Sequence, residues 1–222
     1  MIGVCIPAHN EEDHIDRCLA TVLRAARHAG LAGEPVRVVV VLDACTDATA
    51  EHVKAWPVTA LSVNVRNVGQ ARASGARHLI GAGARWLAFT DADTIVSPAW
   101  LVDQLSLGAQ VVCGTVGVMH WHEHGVHAPH ARAAFLAKYQ DRDGHRHVHG
   151  ANLGIEASVY ERLGGFDPLV CSEDRVLVEK SEKAGVSIAW SALPRVTTSA
   201  RPFSRVTAGF ADTLRQAWEE LE

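Results

Sequence analysis

Two aspartates, Asp91 and Asp93, stand one residue apart just after the apolar run Trp86-Leu87-Ala88-Phe89. Such a run reads as a buried strand, and in an open α/β sheet ligands collect at the carboxyl ends of strands. Carboxylates at i and i+2 on a strand end or turn can both face one cation. Oxygen-only ligands in such a place suit Mg²⁺ or Mn²⁺, which usually hold substrate phosphates as well. The plainer reading is that one of the pair caps the helix expected after Ser97-Pro98. Asp-x-Asp alone does not choose between these, so the rest of the chain has to.

The elements that would position the pair follow from apolar spacing. Ile2 to Ile6 reads as a first strand, stopped by Pro7, with Asn10 capping a helix whose apolar residues are Ile15, Cys18, Leu19, Val22, Leu23 and Ala26. Val36 to Leu42 is apolar on both faces, as central parallel strands are. It ends in Asp43, and Asp43 through Thr49 opens a helix running to about Trp56. A third strand spans about Val58 to Val63. Asn67-Val68-Gly69 then leads into a small-residue helix, about Gln70 to Gly81, and a fourth strand ends at Asp91. Strand and helix alternate with short connections, which predicts an α/β fold: a mostly parallel central sheet with helices on both faces. In that fold Pro7-Ala8-His9-Asn10-Glu11, Asp43 and Asp91-Ala92-Asp93 all fall on one sheet edge. This convergence favours a metal and phosphate site over a chance dipeptide.

Further on, the pattern predicts a helix over Pro98 to Leu107, a strand over Ala109 to Val118 and a helix over about Ala131 to Gln140. A short strand, Ala151 to Ile155, and one or two helical turns, Glu156 to Leu163, precede a Gly164-Gly165 turn. Ser172-Glu173-Asp174 opens a helix from Arg175 to Ala184. Strands near Val186 to Trp190 and Arg195 to Thr198 come next. An amphipathic helix, about Val206 to Leu221, offers a face to the core or to a second copy of the chain.

The chain has 222 residues, 48% hydrophobic and 21% charged, with a net charge of −4. That is the balance of a soluble globular protein, and with no composition shift along it one domain is expected over 1–222, in two halves, 1–95 and 96–222. The charge gives no global field for nucleic acid or anionic membrane. Val38-Val39-Val40-Val41-Leu42 and similar runs are too short to span a bilayer, so no integral membrane segment is expected. The five cysteines are scattered, without C-x-x-C, which points to a reduced, cytoplasmic compartment. No Gly-x-Gly-x-x-Gly follows the first strand and no P-loop motif occurs, which argues against a dinucleotide-binding dehydrogenase and against a P-loop ATPase.

Eight of the 13 histidines fall between His120 and His149. His120, His122 and His124 alternate and would share one face of a strand, a zinc-binding arrangement, as would a set from His145, His147 and His149. The plainer reading is a polar, partly exposed loop with several solvated histidines.

Five pieces in order resemble the family 2 glycosyltransferases, which have a GT-A fold. They are Ile6-Pro7-Ala8-His9-Asn10-Glu11-Glu12, Asp43 through Thr49, Asn67-Val68-Gly69-Gln70-Ala71-Arg72, Asp91-Ala92-Asp93, and Gly164-Gly165-Phe166-Asp167 leading to Glu173-Asp174. Thr197-Thr198-Ser199-Ala200-Arg201, followed by Gly209-Phe210-Ala211, is similar to a short bacterial subgroup. The resemblance implies transfer of a sugar from a UDP- or GDP-sugar to an acceptor hydroxyl, with inversion. The acceptor is not named by it. It places Pro7, Ala8, His9, Asn10, Glu11 and Asp43 around the nucleoside, Asp91 near the ribose, and Asp93 on a Mn²⁺ or Mg²⁺ ion. Arg72 and Arg201 would contact the phosphates, Gly150 and Asn152 would line the sugar pocket, and Asp174 would be the general base with Glu173 orienting it. Each of these acids also sits where a helix start favours it without any chemistry, and Arg72 reads equally as a solvated helix residue. Competing readings are a nucleotidyltransferase, disfavoured by a first loop lacking Gly and Lys/Arg, and a non-catalytic nucleotide-sugar or zinc-binding module.

Overall fold

The computed structural model describes residues 1–201. The helix expected over Val206 to Leu221, and the homodimer contact it suggested, lie outside them. One eight-stranded sheet runs through the described chain in the order β3-β2-β1-β4-β7-β6-β8-β5. Its parallel half holds β1 (Ile2–Ala8), β2 (Val36–Asp43), β3 (Thr59–Val63) and β4 (Trp86–Phe89). β7 (Leu153–Glu156) joins antiparallel to β4 and to β6 (Val111–Met119). β8 (Ile188–Ser199) lies parallel to β6, and β5 (Thr94–Val96) closes the sheet antiparallel to β8. The helices are α1 (Ile15–Ala26), α2 (Thr49–Lys54), α3 (Val68–Gly81), α4 (Trp100–Ser106), α5 (Ala128–Lys138), α6 (Ala157–Arg162) and α7 (Glu173–Lys183).

Alternation along the strands builds two cores. Ile2, Val4 and Ile6 of β1 join Val38, Val40 and Leu42 of β2 under Ile15, Cys18, Leu19 and Val22 of α1. Cys5 meets Val39 and Val41 on the opposite face, with Ala71, Ala76 and Leu79 of α3 and Leu177 and Val178 of α7. The all-apolar β2 therefore serves both cores. At Gly75, α3 lies so close to β1 and β2 that a Cβ would overlap Cys5 Sγ and press on Val41.

Several boundaries differ from the sequence expectation. β1 does not stop at Pro7; Pro7 pairs in register with Val41. Beyond Cys5 the β4 ladder has ended, so Pro7 has a neighbour on one side only, an edge-like place where its missing N–H is tolerated. Asn10 does not cap α1, which starts at Ile15 with no side-chain cap. It adopts φ 54° instead and turns toward α2. β4 ends at Phe89, so Asp91 and Asp93 lie in the turn to β5. β5 itself has three residues, too few for a periodicity signal. The two expected strands after Val186 are one, irregular where Gly114 faces Ser191 and Thr115 faces Arg195. His120, His122 and His124 do not share a strand face: β6 ends at Met119, His120 takes φ 62°, and a 3₁₀ segment follows over Trp121–His127.

Gly75→Val should destabilise the fold by ~1–3 kcal/mol through overpacking of α3 on β1. Urea unfolding of the variant and the parent checks this.

Candidate functional site

The carboxyl ends of β1, β2 and β3 carry three loops linked through the loop after β2. Asn10 Oδ1 accepts from Thr46 N–H at 2.8 Å, and its amide donates to Thr46 Oγ1 at 3.2 Å. Glu12 N–H donates to Asp47 Oδ2 at 3.1 Å, and Ala48 N–H returns to Glu12 Oε2 at 2.8 Å. Asp47 Oδ1 also accepts from Thr49 N–H at 3.0 Å, just before α2. His9 Nδ1 lies 2.6 Å from the Asp43 carbonyl, and Cys45 Sγ donates to the Ala8 carbonyl at 3.3 Å. Asp43 is buried and accepts from three backbone amides, those of Val65 and Arg66 on Oδ1 and of Asn67 on Oδ2, at 2.8–2.9 Å. It holds the turn before α3 in place. Asn67 then caps α3, accepting from Gln70 N–H at 2.9 Å.

Two arginines tie this edge to the rest of the chain. Arg72, on α3, is 4% exposed and pairs through Nη2 with Asp91 Oδ1 and through Nη1 with Glu173 Oε1. The expected solvated or phosphate-facing side chain is thus enclosed between two carboxylates, one after β4 and one at the start of α7. Gly150 lies on its guanidinium, where any Cβ would overlap it. Gly150 N–H donates to Asp174 Oδ2 at 2.6 Å. The other Asp174 oxygen accepts from Arg175 N–H at 2.7 Å. Glu173 turns inward to Arg72, while Asp174 stays partly exposed at the start of α7.

Arg201 is the second. Its Nη1 meets Glu11 Oε1 at 2.8 Å and its Nη2 meets Asp93 Oδ2 at 2.9 Å. Asp93 Oδ1 accepts from Thr198 Oγ1 at 3.1 Å, and Thr94 Oγ1 donates to Thr198 Oγ1 at 3.0 Å. Burial pushes the Asp93 carboxyl up, against the pull of Arg201. His14 Nδ1 lies 3.3 Å from Glu11 Oε2, and that contact raises the His14 pKa. Beside Asp93, a cavity of about 240 Å³ opens between α1 and the 3₁₀ segment, lined by Asp13, His14, Arg17, His120, His122 and Glu123 among others. Thr198, Thr94 and His14 were not singled out from sequence. The Thr-Thr-Ser-Ala-Arg run was the only available signal, because β5 and its pairing with β8 are invisible there.

Asn152, expected in the sugar-pocket lining, lies inside the protein. It is fully enclosed, donates to the Thr115 and Pro194 carbonyls at 2.8 and 2.9 Å, and accepts from Trp100 Nε1 at 2.9 Å. It braces the floor beneath Gly150. The later histidines also have structural partners. His147 Nε2 accepts from Gln140 N–H, His145 Nδ1 accepts from His147 N–H, and the His147 ring stacks on Tyr139 at 4.1 Å. His149 Nε2 sits 3.0 Å from Tyr139 Oη, which takes its own hydrogen bond from Val116 N–H. Burial lowers the His149 pKa to about 4.

The family model for glycosyl transferase family 2 matches residues 3–164. The chain belongs to that family. Solved structures share its fold. S. aureus TarS 1-349 in complex with UDP-GlcNAc superposes with a TM-score of 0.68 at 15% identity, over 94% of this chain and 61% of that one. The mannosyltransferase PcManGT from Pyrobaculum calidifontis, in complex with GDP-Man and Mn²⁺, gives 0.65 at 20%, over 88% and 56%. GalNAc-T7 with UDP, GalNAc and Mn²⁺ gives 0.64 at 17%, over 90% and 44%. The chain spans 37% of the whole TarS chain. No curated protein matches it. The fold is GT-A. Glu173, Asp174 and Arg201 lie beyond the residues that the family model covers. No helix among the described residues is long and apolar enough to cross a membrane.

Because the folded His149 titrates near 4 and an unfolded histidine near 6.5, the unfolded chain takes up its proton first. The His149 contribution should be complete above pH 6.5 and decline as pH falls toward 4. Denaturant unfolding at pH 7 and pH 5, compared with His149→Gln, checks this: the variant should lose part of the pH dependence.

Proposed function

We propose that the protein transfers a sugar from a nucleoside-diphosphate sugar to an acceptor hydroxyl, with inversion at the anomeric carbon. One observation carries the reading: buried arginine pairs bring Asp91, Asp93, Glu11 and the Glu173-Asp174 start of α7 to one edge of the sheet. Chance helix capping does not require that. The neighbours' complexes with UDP, UDP-GlcNAc and GDP-Man support a uridine or guanosine donor.

In this reading the loop 7–11 and the Asp43-braced turn at 65–67 receive the nucleoside, and Asp91 faces the ribose. Asp174 takes the proton of the acceptor hydroxyl as that oxygen bonds to the anomeric carbon. The bond from that carbon to the phosphate oxygen breaks, and the nucleoside diphosphate leaves with the electron pair. Gly150 N–H and the first turn of α7 hold Asp174 in one orientation. Arg72 is a positioning residue, fixing Glu173, and so α7, against Asp91.

A divalent cation fits the donor set. Asp93 and Glu11 are buried oxygen ligands that already flank a positive charge. Among the described residues no three His, Cys, Asp or Glu side chains group into a metal cage. The protein would supply one or two carboxylates, the usual manner of Mg²⁺ or Mn²⁺ with substrate phosphates. When bound, the ion supplies Lewis-acid stabilisation of the leaving diphosphate.

Incubation with UDP- and GDP-sugars plus Mn²⁺ should release nucleoside diphosphate, and NMR of the product should show an inverted anomeric centre. Asp174→Asn should slow release ~10²–10⁴-fold with donor affinity by calorimetry preserved. Undiminished turnover in that variant would remove Asp174 from the mechanism. A retained anomeric configuration would remove inversion.

A further inference from the structure

Glu11 and Asp93 are 4% and 6% exposed, and they stand on either side of one guanidinium. We propose that Arg201 is a placeholder for the divalent cation: it holds the two carboxylates until a cation arrives together with a nucleoside diphosphate, and then turns to the phosphates. The inference rests on Asp93 as the cation ligand of the proposed transferase.

Charge and anchoring both support it. Two enclosed carboxylates repel and need a positive partner, and breaking a buried pair leaves an uncompensated charge. Asp93 Oδ1 is held by Thr198 Oγ1, and Glu11 Oε2 faces His14 Nδ1 at 3.3 Å. The carboxylates are therefore aimed at Arg201 and stay in place if it leaves. Arg201 is the looser partner, with its side chain 24% exposed against 6% for each acid. Its backbone is anchored next door, where buried Ala200 donates to the Met119 carbonyl at 2.8 Å. The tip can swing while the chain stays fixed.

The energetic consequence is coupling. A cation alone must displace Arg201 and strand its guanidinium in a site it partly fills. A cation with a diphosphate displaces it onto an anion that accepts its planar fork bidentately. Cation and nucleotide should then bind with positive cooperativity, each raising the affinity of the other equally. Lysine at this position would carry the charge but could not span both carboxylates.

The test is Mn²⁺ binding followed by electron paramagnetic resonance, with and without UDP or GDP, on the parent, Arg201→Gln and Arg201→Lys. The parent should bind Mn²⁺ alone weakly and gain ~10-fold or more with one of the nucleotides. Arg201→Gln should bind Mn²⁺ alone more tightly than the parent does, and its gain on adding nucleotide should be smaller than the parent's, because only the direct bond of the phosphates to the ion remains. Its melting temperature should fall without Mn²⁺ and recover with it. Arg201→Lys, which keeps the charge, should lie between and serves if the glutamine variant fails to fold. The proposal is overturned if Arg201→Gln and Arg201→Lys bind Mn²⁺ no more tightly than the parent. It is equally overturned if the parent binds Mn²⁺ as well without nucleotide as with it, or binds none in either state. Sugar turnover is read separately, so turnover without this coupling removes the placeholder and leaves the transferase, and coupling without turnover does the reverse.

Discussion

Carboxylates gathered in a partly dry sheet edge must be neutralised, and the architecture follows from how that is done. Two unit charges 4 Å apart interact by ~4 kcal/mol at an effective dielectric of 20, too much to leave unopposed in a fold of ordinary stability. Arg72 and Arg201 supply the opposing charge. Each reaches across the molecule: Arg72 from α3 to Asp91 and to α7, Arg201 from the end of β8 to Glu11 and Asp93. The small residues near Arg72 then make sense. Gly150 is glycine because the guanidinium lies against its backbone, and Gly69 because the chain at Asp167 and Leu169 passes over the start of α3. The carbonyl of Leu169 accepts from Gly69 N–H at 3.1 Å, so the Gly-Gly-Phe-Asp turn is docked on the same helix that carries Arg72.

The loops around this edge are held by reciprocal side-chain to backbone bonds rather than by length or stiffness. Asn10, Ala44, Arg66, His120 and Ser172 all take left-handed backbone conformations there. Non-glycine residues in that region carry strain of the order of 1–3 kcal/mol. It is tolerated because neighbours over-determine the conformation: Asn10 through Thr46, Arg66 through its amide on Asp43. Such strain clusters where a binding surface has to be shaped in advance. The edge is thus shaped in advance, and Arg201 is the more exposed of its two arginines.

The histidines show how composition misleads when taken without geometry. Their count and alternation suggest a metal cage. In the structure the later set forms an aromatic stack with Tyr139 whose ring nitrogens accept backbone and hydroxyl hydrogens. It packs the 141–149 loop against β8, and Asp143 holds the irregular stretch of β8 by accepting from Ser191 Oγ and Ala192 N–H, each at 2.8 Å. This loop delivers Gly150 to Arg72 and Asp174. The earlier set bends away from β6 at His120, and His120 and His122 line the cavity beside Asp93.

Much was legible in the sequence because it is local. Alternating apolar runs gave the parallel half, the two-faced β2 gave helices on both sides, and the ordered motifs gave the family. Strand ends announced the loops where Asp43, Asp91 and Asp93 stand. What the sequence could not decide was which charge faces which. Arg72 meets Glu173 across 101 positions and Arg201 meets Glu11 across 190. No periodicity records such pairings, since they arise only when β8 and β5 fold back onto the edge and α7 docks on α3. The same separation explains why Arg72 read as a solvated helix residue and Asn152 as a pocket residue. Burial is a property of what packs on a side chain, and here the packing comes from the far end of the chain. Residue type and order determined the chemistry available; tertiary closure decided which carboxylates are neutralised, and which of them can be released to a ligand.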